Sequence, residues 1–351
     1  MIYVAGLLVV AAVAGVLAWR LLGGGSSYQQ ALGTLPSATL RTTYTDWALV
    51  RRQARGTSLD DTSSREQVTA FLNRAYDRGL TSGSGISEST STLAGRFGFS
   101  PLDAEWEALG QSRKGQVDVL RLADGVDLTK VERALRRLGY DGPRPGSSGG
   151  GTWAGDADLV ARISGDLGPL EQNIAVLPDQ HLVLMSDDTV YVERAARVAA
   201  GSGSSLRDVA GVDALSDVAG DPVSAVQWAS TFACEDLRMG SADSGDQREA
   251  RQLVDRAGKI SPLEGLVMAQ GADRSIVVGM HFETSRQASA TLQPRVDLAT
   301  GSAPGQGGSF TDRFEVTKGT ADGQDVVLHL RPEQPQVLSD ISTGPVLFAT
   351  C

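Results

Sequence analysis

The sequence predicts an α+β protein: an N-terminal transmembrane helix, then a soluble body of mixed, mainly antiparallel sheet with packed helices. Three observations predict it. Residues 2–22 carry a single charge, Arg20. The rest of the chain alternates period-two apolar runs with capped segments of helical period. One order of elements, strand–helix–hairpin, occurs twice. The expected division is a signal-anchor at 1–22, a flexible tether at 23–34 and an extracytoplasmic body at 35–351, divisible into halves 35–222 and 223–351.

Residues 2–22 as a helix span roughly 30 Å, the thickness of a bilayer's hydrocarbon core. Trp19 and Arg20 stand at its far end, where an indole and a snorkelling guanidinium meet the headgroups. No basic side chain precedes the run, and Ala12-Val13-Ala14 lies inside it, so an uncleaved anchor fits better than a cleaved signal peptide. Arg20 and Arg41 after the helix favour a cytoplasmic body by the positive-inside rule. Long domains translocate largely regardless of charge, and the cysteines decide for an extracytoplasmic body.

Beyond Gly23-Gly24-Gly25-Ser26-Ser27, residues 38–47 are rich in Thr and aromatics and read as a strand. A helix follows at 47–53. Ser63-x-x-Glu66 reads as a capping box before Val68, Phe71, Leu72, Ala75 and Tyr76, with Gly79 ending the helix. Ser100-Pro101-Leu102-Asp103 reads as a second helix start carrying Leu102, Trp106 and Leu109, giving a helical layer over 55–112. Residues 116–122 alternate as a strand. Asp127 caps a helix with Leu128, Val131, Leu135 and Leu138 on one face, closed by Gly139.

Residues 142–151 form a Gly/Pro/Ser loop within the body. A hairpin is predicted from 173–177 and 181–186 around Pro178-Asp179-Gln180, then a helix at 188–200, one or two helices at 205–220 and a strand at 223–229. Ser244-x-x-Gln247 starts a helix facing the core with Ala250, Leu253, Val254 and Ala257. Strands at 266–270 and 275–282 flank a Gly271-Ala272-Asp273 turn. Thr284-x-x-Gln287 caps a helix that Pro294 should kink or split. Residues 310–317 and 325–330 pair, and 346–349 make a last short strand. Strand 116–122, helix 127–138 and hairpin 173–186 thus match strand 275–282, helix 285–299 and hairpin 310–330. This points to two β-α-β-β halves packed as a pair or joined edge to edge.

The two cysteines, Cys234 and Cys351, read as one disulfide in an exported body, tying down a terminus that would otherwise fray. No CxxC exists, which excludes thioredoxin-like and zinc-ribbon chemistry. The chain carries 32 basic and 42 acidic side chains, a net charge of −10. Such a surface does not seek nucleic acid, whose affinity comes from phosphate neutralisation.

The search for chemistry finds no complete catalytic, metal or cofactor signature. His181, His281 and His329 fall in alternating strands without metal-ligand spacing. Gly146-x-Ser148-x-Gly150 matches the nucleophile-elbow pattern but sits in a loop rather than between strand and helix. The Gly-rich 301–308 stretch lacks the lysine of a phosphate loop. Asp60-Asp61, Asp156-x-Asp158 and Asp187-Asp188 lack a calcium-loop ligand set. No cofactor is predicted. Candidate contact residues remain: Asp46 and Trp47 near the anchor, and Gly305, Gly307 and Gly308, where a loop lets a partner touch backbone. For the first pair, Asp46 capping the next helix with Trp47 packed beneath is the better-fitting reading.

The anchor, the Gly/Ser tether, Thr45-Asp46-Trp47, the 303–308 loop and the terminal Gly344-Pro345-Val346-Leu347-Phe348-Ala349-Thr350-Cys351 together resemble uncharacterised membrane-anchored extracytoplasmic proteins of actinobacteria. The resemblance implies an envelope setting and transfers no catalytic residue. The expected role is a non-enzymatic binding or interaction module of the cell envelope. Its expected partners are the bilayer through residues 2–22 and an envelope protein or lipid. The alternatives are an envelope enzyme with a dispersed Asp/Ser/His site and a lipid or small-ligand carrier.

Overall fold

The structure, a computed structural model, describes residues 25–81, 83–143 and 151–351. The predicted anchor at 2–22 and the Gly146/Ser148/Gly150 pattern lie outside these residues. Among the described residues no helix is long and apolar enough to cross a membrane.

The predicted tether does not extend to residue 34. Helix α1 (Ser27–Thr34) starts at a capping box of Ser26 with Gln29 and buries Tyr28, Ala31 and Leu32. Strand β1 (Arg41–Thr45) leads into α2 (Trp47–Gln53), with Asp46 accepting from the Leu49 N–H at 2.7 Å. Helix α3 (Arg65–Asp77) starts one residue later than predicted, at a capping box of Ser64 with Gln67. A short helical segment spans 90–97.

The predicted helix after Ser100 is strand β2 (Ala104–Ser112). Ser100 and Asp103 close a turn, with the Ser100 hydroxyl accepting from the Leu102 N–H. The spacing of Trp106 and Leu109 suits a helix face. In β2 these residues point to opposite sides of the sheet, Trp106 into one core and Leu109 against another.

Strand β3 (Gly115–Leu122) and α4 (Leu128–Leu138), capped by Asp127 and Gly139, follow as predicted. Then come β4 (Gly151–Ala154), α5 (Ala157–Ile163), β5 (Asn173–Leu177), β6 (Leu182–Ser186), α6 (Thr189–Ala199), α7 (Val212–Ala219), β7 (Ser224–Ala229), α8 (Phe232–Asp236) and α9 (Ser244–Ala257). Strands β8 (Gly265–Gln270) and β9 (Ile276–His281), helix α10 (Ser285–Ala299), strands β10 (Phe314–Asp322) and β11 (Asp325–Pro332), and α11 (Val337–Ile341) complete the chain.

Helix α10 runs unbroken through Pro294, because neighbours clamp its C-terminal half. The buried Arg295 donates to the carbonyls of Phe348, Thr350 and Ser261. The same bonds shape the chain end, where Leu347–Ala349 is a single 3-10 turn and not the predicted strand.

All eleven strands form one sheet, in the order β10-β11-β9-β8-β7-β1-β2-β3-β6-β5-β4. Every ladder is antiparallel. The pairing pattern repeats about the β1·β7 seam. In each part a three-stranded meander (β1-β2-β3 or β7-β8-β9) is followed by a helix (α4 or α10). A hairpin then docks its second strand (β6 or β11) on the third meander strand. Helices also intervene between the first two strands of each meander.

Helices α1, α6 and α7 cover one face of the sheet around Tyr28, Tyr44, Trp106 and Leu215. On the opposite face, α2, α3 and α4 cover β1–β3, while α8 to α11 cover β7–β9 and β11. Strands β5, β6, β7 and β8 are buried at every position, as strands must be when helices lie on both faces. Helix α7 packs on β8 and β9 so closely that a Cβ on Gly279 would lie 3.0 Å from Leu215 and Val218. Its packing therefore belongs with residues 223–351, although it precedes residue 222.

Candidate functional site

The β1·β7 seam leaves a gap between the two helical layers on the α2–α4 side of the sheet. A cleft of about 460 Å³ opens there, inside the roughly 300–1,000 Å³ range of small-molecule sites. Arg41 begins β1 and stands opposite Gln111 of β2 and Trp228 of β7. Phe232 and Asp236 of α8 form one wall, and Ser342, Thr343 and Gly344 form another. Arg113, on the β2–β3 turn, completes the rim.

Each arginine lies over an aromatic ring, Arg41 at 5.6 Å from the Trp228 centroid and Arg113 at 6.0 Å from Phe232. Arg41 donates to Gln111 Oε1 at 3.1 Å. Its Nε is 3.6 Å from Asp236 Oδ2, too long for a hydrogen bond, and finds no acceptor. That carboxylate is already held by the Trp228 Nε1–H at 2.6 Å. Burial lowers the Arg41 pKa, and the Asp236 charge opposes this. The exposed Arg113 pairs with Glu235 at 2.6 Å.

Three devices brace this cleft. The Cys234–Cys351 disulfide ties the chain end to α8, as the sequence predicted. Arg295 holds the carbonyls of Phe348 and Thr350. The 303–308 loop buttresses the Ser342–Gly344 wall, because Gln306 donates to the carbonyls of Asp340 and Thr343. A Cβ on Gly305 would lie 2.6 Å from Pro345 Cγ.

Arg313 pins the same loop through Gln306 Oε1 and the carbonyls of Gln306 and Gly307. Gly305, Gly307 and Gly308 are exposed with φ of 82°, 75° and 70°, a left-handed conformation that suits glycine. They stand behind the cleft rather than at its mouth.

Trp47 is not an accessible contact residue. It is fully buried and forms part of a polar network on the same face of β1–β3. Its Nε1–H donates to Glu107 Oε2 at 2.6 Å. The Ser84 hydroxyl donates to the same oxygen at 2.9 Å, and the Gly85 N–H to Oε1 at 2.7 Å. Burial raises the Glu107 pKa, opposed by these donors and by Asp118.

Asp118, a diagonal neighbour of Glu107 across the β2–β3 ladder, is fully buried. Burial, then the Glu107 charge, hold its carboxyl well above the usual range. Asp118, with no hydrogen-bond partner on either oxygen, is the member of the pair held further toward the protonated form, while Glu107 accepts from three donors. Glu171, raised by burial, accepts from the Ser89 hydroxyl and the Gly168 N–H at 2.9 and 2.8 Å. Ser84, Ser89 and Glu171 line a groove of about 640 Å³ over this network. No motif along the chain signals it, because Glu107, Asp118 and Glu171 lie on three separate elements.

The histidines do not converge. His281 bonds Asp325 at 2.6 Å, while His329 pairs farther along with Val277. His181, with φ of 53°, ends the 3-10 turn before β6. Among the described residues no group of three or more His, Cys, Asp or Glu side chains is placed to hold a metal ion.

No family model and no curated protein matches the chain. Among solved structures, it is similar to "Structure of crystal form I of TP0453", with a TM-score of 0.42 and 6% identity, covering 91% of this chain and 97% of that one. Crystal form IV gives a TM-score of 0.42 and 7% identity, covering 89% and 96%. At these values the likeness carries no functional inference.

Proposed function

We propose that the chain is a single-pass, membrane-anchored extracytoplasmic binding module of the cell envelope, and that the seam cleft is its ligand site. The observation that carries the reading is the bracing of the cleft. Gln306 of loop 303–308 holds the Ser342–Gly344 wall. The disulfide and Arg295 fix the chain end that follows it, the disulfide against the α8 wall, and pre-organisation of that kind favours binding. The apolar run at 2–22 and the disulfide support the envelope setting. Helix α1 begins five residues after Leu22, so the body stands within about 18 Å of the end of that run.

A photo-crosslinking residue at Thr343, in full-length protein in its native membrane, tests the reading. The expected result is a small-molecule adduct that is absent when the probe sits at the exposed Asp179. An equal yield at both positions overturns the cleft as the ligand site. Labelling of an engineered surface cysteine by a membrane-impermeant thiol reagent on intact cells tests orientation, and labelling seen only after lysis overturns the extracytoplasmic placement.

A second reading, an envelope enzyme, is favoured by the contact between Ser84 Oγ and Glu107 Oε2, which pairs a nucleophile with a base beside a groove. Labelling of Ser84 by a fluorophosphonate, lost in Ser84→Ala, supports it, and absence of labelling excludes an activated serine there.

A further inference from the structure

We infer that the seam cleft takes a small organic oxyanion, a carboxylate or phosphate on an apolar body, with Arg41 and Arg113 meeting the charge and Phe232 the body. This rests on the cleft being the ligand site.

The charge pattern is the first argument. The cleft lining holds two arginines and one carboxylate, Asp236, and Glu235 beside the lining balances Arg113. Displacing Glu235 leaves two cations against one carboxylate in a concave site, a surplus that favours an anion.

The state of Arg41 is the second. Its side chain is only 20% exposed, so its charge is poorly solvated. The nearest carboxylate is 3.6 Å away and already occupied by Trp228. Arg41 Nη1 and Nη2 donate only to the neutral oxygens of Gln111 and the Ser342 carbonyl, at 3.1 and 3.4 Å, so an entering oxyanion supplies the close charge-assisted bond that Arg41 lacks. Gln111 and the Trp228 face already fix the guanidinium plane, so little side-chain entropy is lost on binding.

Arg113 supplies the mobile partner. Its side chain is 68% exposed and its bond to Glu235 lies at the surface, where such pairs contribute little. Exchanging Glu235 for a ligand oxyanion therefore costs little. The half-buried Phe232 ring, with Leu40 opposite, presents the apolar surface on which a ligand body lies.

The test is calorimetric titration of full-length protein in dodecyl maltoside with phenyl phosphate, benzoate, inorganic phosphate and benzylammonium. The expected result is binding of at least one aromatic anion, weakening with salt, and whichever of the two binds more tightly identifies the oxyanion. Arg41→Gln should lower that affinity at least tenfold. If Arg41→Gln does not fold, Arg113→Gln carries the test with an expected loss of at least threefold. Phe232→Ala should weaken phenyl phosphate and leave inorganic phosphate unchanged.

Affinity unchanged in the folded arginine variant overturns the proposal, as does benzylammonium binding as tightly as the anions. If benzylammonium binds and Phe232→Ala abolishes it, the ligand class falls and the cleft stands as a site. If no probe binds, the oxyanion falls, and the Thr343 crosslink judges the cleft separately.

Discussion

Trp47 and Glu107 are sixty residues apart and share a 2.6 Å hydrogen bond in a fully buried site. The bond joins the first turn of α2 to the middle of β2, and Ser84 and Gly85 bring the loop after α3 to the same carboxylate. One side chain thus organises three segments, and three donors satisfy its carboxylate.

That arrangement fixes a pH dependence. Asp118, Glu107 and Glu171 all have folded pKa values above the ordinary carboxylate range. Their contribution is fully present below about pH 4, where the unfolded groups are also protonated. It is lost as pH rises through the folded values, because the native state then holds protons the unfolded chain has released. The melting temperature measured by calorimetry should fall between pH 4 and 8, and Asp118→Asn should flatten the slope. An Asp118→Asn profile parallel to wild type refutes the assignment of the proton to Asp118.

Arg295 is buried without a carboxylate partner, and desolvation lowers its pKa to about 9. Its function is to satisfy the carbonyls of Ser261, Phe348 and Thr350. Arg295→Ala leaves these unpaired beside a cavity and should cost about 3–5 kcal/mol in urea unfolding. Arg295→Met fills the volume and should cost less. Equal losses would show that the cavity term is negligible.

The Cys234–Cys351 bridge closes a loop across a sequence separation of 117. Chain-entropy arguments give about 4–5 kcal/mol for such a loop, as an upper figure. The double Cys→Ala variant should show a lower urea midpoint that reductant leaves unchanged, while reductant brings wild type down to the same value. A wild-type midpoint insensitive to reductant under unfolding conditions would argue against the bridge.

Gly79 ends α3 with φ of 66°, and a Cβ there would lie 1.8 Å from the Pro335 carbonyl oxygen. Gly79→Ala should therefore separate this turn from the segment before α11 and cost about 2–4 kcal/mol, a loss of the strained-backbone kind. Thermal unfolding reads it, and a melting temperature within one degree of wild type contradicts the packing.

Much of the fold was legible because local chemistry decides it. Asp127 and Thr284 accept from the first-turn N–H groups of their helices. Gly139 takes the left-handed cap, and Pro178-Asp179-Gln180 turns the β5–β6 hairpin. Misreadings came where tertiary contacts override local pattern. Trp106 and Leu109 fit a helix face until the β1 and β3 ladders draw 104–112 into the sheet. Residues 346–349 look extended until Arg295 takes the carbonyls of Phe348 and Thr350. Asp46 as the cap of α2 with Trp47 packed beneath was legible, and the structure has both.

By itself, then, the sequence determined the α+β class, the strand–helix–hairpin order in each part and the pairing of its two cysteines. Each follows from periodicity over a few residues, or from there being only one partner to choose. Only the tertiary structure decided that both meanders share one sheet through β1 and β7. It alone placed Arg41 beside Trp228 and Asp236, and put Glu107 against Asp118. These contacts join residues from distant elements, and no spacing along the chain encodes the ladder register or helix packing that brings them together.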